Sequence, residues 1–145
     1  MSGWVVDACA ALAVGLPDER STEAERLLEL LARGDELRVP ALWWYEIANA
    51  LAAARRRGRI SDADHARLLE LYRSWPLKTD ALFADRAFCE SSRRAAAAGL
   101  SAYDAAYLEL AARRGLGLFT LDARLAAAAR ERGIALWGGR SGRRR

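Results

Sequence analysis

Five short apolar runs punctuate this chain, at residues 4–6, 37–39, 76–79, 118–121 and 134–137, and stretches of helical character lie between them. Strands that are apolar at consecutive positions suit burial on both faces. Alternation of such strands with helices predicts an α/β fold, a parallel sheet covered by helices on each side. The helix signals agree. Thr22 and Glu25 have capping-box spacing and lead into Leu27, Leu28, Leu30 and Leu31 before Gly34. Residues 41–57 form the longest candidate, with arginines in the last turn and Gly58 as the stop. Ser61 and Asp64 repeat the capping box ahead of a helix to about Arg73. Further helices are expected at 8–16, 82–98, from 101 onward, and at 123–132. No repeat or linker divides the chain, so residues 1–138 are expected to form one domain, followed by a disordered basic tail at 139–145.

Composition removes several classes of function. The single histidine, His65, and the two cysteines, Cys9 and Cys89, have no zinc-ligand spacing. Reduced thiols, no signal-like start and no apolar stretch of about 18 residues point to a cytoplasmic location. The net charge of +4 is carried almost wholly by arginine, Lys78 being the lone lysine. Arginine favours phosphate and carboxylate contacts, which leans weakly toward a polyanionic partner.

The carboxylates carry more. Asp7 and Asp122 each follow an apolar run, and the carboxyl ends of strands in such sheets face the ligand crevice. Both also sit where a helix N-cap would. Asp104 follows Ser101 at capping spacing, so a cap explains it equally well. Glu46 is harder to explain structurally. It lies mid-helix among Leu42, Trp43, Asn49 and Ala50, with no Lys or Arg at a pairing position. A carboxylate on an apolar face needs a partner from elsewhere, or a metal. Taken jointly, such an oxygen-only set suits Mg²⁺ or Mn²⁺. It would repel itself without a cation. A bound metal can activate water against a phosphodiester.

The segments VVDACAAL (5–12), WYEIANAL (44–51), LSAYDAAYLELA (100–111) and LFTLDARL (118–125) resemble, in order, the four acidic motifs of PIN-domain ribonucleases. The likeness is greatest to VapC-type toxins of bacterial toxin–antitoxin pairs. It implies Asp7, Glu46, Asp104 and Asp122 as metal-site acids, with Thr120 as a supporting hydroxyl. It implies a three-layer fold on five parallel strands in the order 3-2-1-4-5, and Mg²⁺- or Mn²⁺-dependent cleavage of RNA to 5′-phosphate and 3′-hydroxyl ends. It also implies a homodimer held inactive by an antitoxin that covers the cleft. Two departures stand out. Many members have Ser where this chain has Cys9, which implies a weaker or absent hydrogen bond to the site. Some carry a further acid where this chain has Ala126, which implies weak binding of any second metal.

Other readings of the same residues are a structure-guided DNA nuclease, a non-catalytic RNA- or protein-binding module, and a phosphatase acting on small substrates. Outside the acids, Arg55, Arg56, Arg57 and Arg59 read more readily as dipole-complementing charges than as an RNA grip. Of Trp43, Trp44 and Tyr45, at least one is expected in the core and one at a partner surface. Cys89 is expected to pack within its helix.

Overall fold

The structure, a computed structural model, describes residues 3–81 and 85–137. In chain order the elements are β1 (Gly3–Val6), α1 (Ala8–Gly15), α2 (Thr22–Ala32), β2 (Glu36–Pro40), α3 (Leu42–Arg56) and α4 (Asp62–Ser74). Then come β3 (Leu77–Asp80), α5 (Asp85–Ala98), α6 (Ala102–Arg114), β4 (Gly117–Phe119) and α7 (Ala123–Glu131). Every strand pairing is parallel, in the order β3-β2-β1-β4.

The expected fifth strand is reduced to one parallel bridge, Leu118 with Leu136. Its place beside β4 agrees with the expected order, but it is not a full strand. β4 is itself only three residues long, so it offers a short ladder. Trp137 then turns edge-on against Trp4, with ring centroids 5.1 Å apart. Gly117 leaves room for this packing, since a Cβ there would overlap the Trp4 ring.

Helix starts follow the cap chemistry with one shift. The cap of α2 is Ser21, whose hydroxyl accepts the Ala24 N–H at 3.2 Å; Thr22 is the first helical residue instead. Both residues can cap, and the chain uses the earlier one. The Ser61–Asp64 box is complete, at 3.0 and 3.2 Å. Helix α5 begins at Asp85, and the first residues expected in it, like the tail at 139–145, lie outside the described residues. Cys89 is exposed rather than packed within its helix, and both cysteines are free thiols.

β1 lies inside the sheet, with Val5 and Val6 wholly buried. On one side, Trp43 of α3 packs against Tyr72 and Trp75 at the end of α4. The Tyr72 hydroxyl donates to the Ala11 carbonyl of α1 at 2.7 Å. Of the three neighbouring aromatics in α3, Trp43 is buried and Tyr45 is 78% exposed. Trp44 lies between, its indole N–H on the Thr79 hydroxyl at 2.9 Å. Arg59 pairs with Asp18 through two 2.8 Å contacts, and Arg55 stands 3.7 Å from Asp62. No helix among the described residues is long and apolar enough to cross a membrane.

Two buried acids, Asp80 at the end of β3 and Glu109 on α6, are 9% and 8% exposed. Both are held by Arg113, at 2.6 Å from Asp80 and 2.7 Å from Glu109. Their hydrogen bonds push the guanidinium pKa further up. Removing one partner of a buried ion pair strands the other charge. Arg113→Met should therefore cost about 3 kcal/mol in urea unfolding. Adding Asp80→Asn and Glu109→Gln to it should recover much of that loss. An Arg113→Met protein as stable as wild type would contradict this account of the sheet edge.

Candidate active site

The carboxyl end of β1 delivers Asp7, and its backbone N–H continues the sheet by donating to the Phe119 carbonyl at 2.9 Å. The side chain is 5% exposed. It caps α1 through a long contact, 3.5 Å, from the Cys9 N–H. Its other oxygen accepts the Thr120 hydroxyl at 2.6 Å and the Cys9 thiol at 2.9 Å. Burial raises the Asp7 pKa; the Cys9 and Thr120 hydrogen bonds oppose this, and the charge of Asp104 adds to it. The resemblance implied a weak or missing contact from Cys9, yet the thiol reaches Asp7. Burial and the neighbouring carboxylate push that thiol up to about 12, so at neutral pH it stays protonated and acts as a donor, as a serine hydroxyl would.

Glu46 lies one turn into α3, half-buried. Burial again raises its pKa; a hydrogen bond from Tyr107 opposes this, and Asp7 and Asp104 add to it. These mutual effects place the charges of Asp7, Glu46 and Asp104 in one neighbourhood. Asp104 sits in the first turn of α6, where its N–H donates to the Ser101 hydroxyl at 3.1 Å. Only this half of the capping box appears among the hydrogen bonds, so Ser101 is the cap.

Asp122 joins less directly. One carboxylate oxygen caps α7, accepting the Arg124 and Leu125 N–H groups at 2.8 and 3.0 Å. Its own N–H donates to the Thr120 hydroxyl at 3.0 Å. Thr120 thus bridges the start of α7 to Asp7. The structure brings Asp7, Glu46 and Asp104 together and ties Asp122 to them through Thr120.

Tyr107 is the residue that motif reading passed over. It is fully buried on α6. Its hydroxyl donates to Glu46 Oε1 at 2.9 Å and accepts the Ala8 N–H at 3.3 Å. The available signal was a tyrosine on the apolar face of a helix, one turn beyond Asp104, because a buried phenol needs a polar partner.

The chain thus buries acids in two ways. Asp80 and Glu109 have an arginine. The ion pairs among the described residues give none to Asp7. No three acids, thiols or imidazoles among the described residues stand in a ready-made metal cage. The donor set is nonetheless all-oxygen, and Asp7 directly follows the carboxyl end of β1. Such a set fits a hard divalent cation better than zinc or a redox metal.

Comparison with known proteins bears on this arrangement. The family described as PIN domain matches residues 4–131. Ribonuclease VapC3 of Pyrobaculum aerophilum is 35% identical over 126 residues, 84% of this chain and 91% of that protein. The crystal structure of PAE2754, also from Pyrobaculum aerophilum, matches with a TM-score of 0.69 at 28% identity, over 93% of this chain and 83% of that one. VapBC2 from Rickettsia felis, crystallised bound to a DNA fragment from its promoter, matches in fold with a TM-score of 0.64 at 14% identity, over 92% of this chain and 96% of that one. The family match runs from β1 into α7 and takes in every acid of the site, and the chain belongs to the PIN domain family.

Proposed function

We propose that this chain is a divalent-metal-dependent endoribonuclease of the VapC type, the toxin of a toxin–antitoxin pair. The observation that carries the reading is the group of Asp7, Glu46 and Asp104. They are buried or half-buried and mutually repelling, in a chain that elsewhere supplies arginine to its buried acids. The relationship to a protein named as a ribonuclease supports it. Asp7, Glu46 and Asp104 would hold Mg²⁺ or Mn²⁺, with Asp122 contributing from the far side of Thr120. When bound, such an ion lowers the pKa of water and offsets charge building on a phosphoryl oxygen. The chain's own part is orientation. Thr120 and Cys9 fix one oxygen of Asp7, and Tyr107 fixes one of Glu46. A homodimer and an antitoxin that covers the acids belong to the same reading.

Purified, partner-free chain incubated with bacterial RNA should make discrete cuts that require Mg²⁺ or Mn²⁺ and stop with EDTA. Asp104→Asn should lower the cleavage rate by at least about a hundredfold, at least about 2.7 kcal/mol of transition-state stabilisation, while circular dichroism stays unchanged. Full activity in the folded variant would remove Asp104 from the mechanism.

The raised pKa values give a second test. Asp7 and Glu46 have folded-state values above the ordinary 3.8 and 4.5. Each acid then binds its proton more tightly in the folded chain than in the unfolded one. Their contribution is fully present below the unfolded values and is lost as pH rises through the folded ones. The part of the metal-free chain's stability that Asp7 and Glu46 supply should fall as pH rises above about 4, so the pH dependence of wild type should differ from that of Asp7→Asn in that sense. At pH 7, metal-free Asp7→Asn should melt above wild type. Mn²⁺ should raise the wild-type melting temperature and leave that of the variant nearly unchanged. A variant that melts lower, yet gains as much from Mn²⁺, would contradict the assignment.

A further inference from the structure

The acids stand on three separate elements, and a carboxylate on a helix surface has several rotamers open to it. Asp7 is fixed by Thr120 and Cys9. Glu46 has no comparable local anchor among the hydrogen bonds of the described residues. It lies one turn into α3, and its hydrogen bond comes from Tyr107, 61 residues away in the chain. The phenol cannot itself drift, because its ring is wholly buried. Its oxygen also accepts the Ala8 N–H at 3.3 Å. That N–H belongs to the first residue of α1, directly after Asp7, and has no carbonyl partner within the helix. One hydroxyl thus accepts from the start of the Asp7 helix and donates to the Glu46 carboxylate, while α6 carries Asp104 one turn earlier.

We propose that Tyr107 is a positioning residue of the acid cluster, a hydroxyl strut that sets the Glu46 carboxylate relative to Asp7 and Asp104. The phenol donates its proton to Glu46 Oε1, so it aims one oxygen and leaves the other for a cation. The strut is polarised in the right sense, since an oxygen that accepts an N–H donates its own proton more strongly. The proposal rests on the reading of these acids as a cation site. Groups that orient metal-holding side chains affect metal affinity by about 10–100-fold when removed.

Tyr72 provides a matched control. It is another wholly buried tyrosine, and its hydroxyl also binds backbone of α1, the Ala11 carbonyl at 2.7 Å. Its hydrogen bonds reach none of the acids. The test compares wild type, Tyr107→Phe and Tyr72→Phe by Mn²⁺ calorimetry, by crystal structures without metal, and by kcat and KM on RNA. Tyr107→Phe should fold, weaken Mn²⁺ binding by about tenfold or more, and release Glu46 into other rotamers. Its kcat should fall at limiting Mn²⁺ and recover at high Mn²⁺, with KM for RNA little changed. Tyr72→Phe should lose stability but keep its Mn²⁺ affinity.

Folded Tyr107→Phe with Glu46 unmoved and wild-type Mn²⁺ affinity would overturn the proposal. So would equal losses of affinity in both variants, which would mark a merely structural role. If wild type binds Mn²⁺ but cuts no RNA, the nuclease reading falls and the affinities still decide the role of Tyr107. If wild type binds no Mn²⁺, the proposal falls with the cation site. If Tyr107→Phe fails to fold, wild-type NMR decides: a slowly exchanging Tyr107 hydroxyl proton close to the Glu46 side chain supports the strut, and its absence overturns it.

Discussion

The arrangement depends on a carboxylate held at the end of a buried strand. Asp7 is where the backbone of β1 leaves the sheet, its N–H still on Phe119 and its side chain already capping α1. Burial there is unfavourable for a negative charge. The neighbours reduce the cost without cancelling it: a hydroxyl, a thiol and one amide donate to the carboxylate. Those donors in turn determine where the next elements begin. Thr120 must leave β4 opposite Asp7, and its acceptance of the Asp122 N–H starts α7. A change at Asp7 is therefore felt at the first turns of two helices.

The two groups of buried acids show how one fold separates structure from chemistry. Around Arg113, opposite charges meet in short hydrogen bonds, and the cluster joins β3 to α6. Around Asp7, like charges meet: Asp104 adds to the proton affinity of Asp7, and both add to that of Glu46. The first arrangement is complete in itself. The second leaves like charges without a countercharge from the ion pairs among the described residues, which is the basis for proposing a small dication there. Helix α6 serves both. Asp104 and Tyr107 near its start face the acids, and Glu109 and Arg113 near its end hold the sheet edge.

Much of this was legible in the sequence because it is local. Strand runs, capping serines and terminal glycines act within a few residues, and the elements follow them closely. The four acids stood out as candidates because each sits beside a recognisable strand end or helix start, or, for Glu46, because it lacks a local partner. The rest depends on contacts between distant segments. The Tyr107–Glu46 bond spans 61 positions and the Thr120–Asp7 bond 113. No periodicity reports such a contact. The fifth strand failed for a similar reason. Residues 134–137 have strand character, but the shortness of β4 and the packing of Trp137 on Trp4 limit the pairing to one bridge. Asp122 was legible as an acid at a strand end, whereas the commitment of one of its oxygens to capping α7 is a matter of side-chain geometry.

The central claim is that the repelling carboxylates form a site for a divalent cation. Anomalous diffraction from crystals soaked in Mn²⁺ tests it most directly. The account predicts one strong peak bounded by Asp7, Glu46 and Asp104, with Asp122 at its margin, and no peak beside Asp80 and Glu109, whose two charges Arg113 and Arg114 already balance. A chain saturated with Mn²⁺ whose only peaks lie away from Asp7 and Asp104 would contradict it.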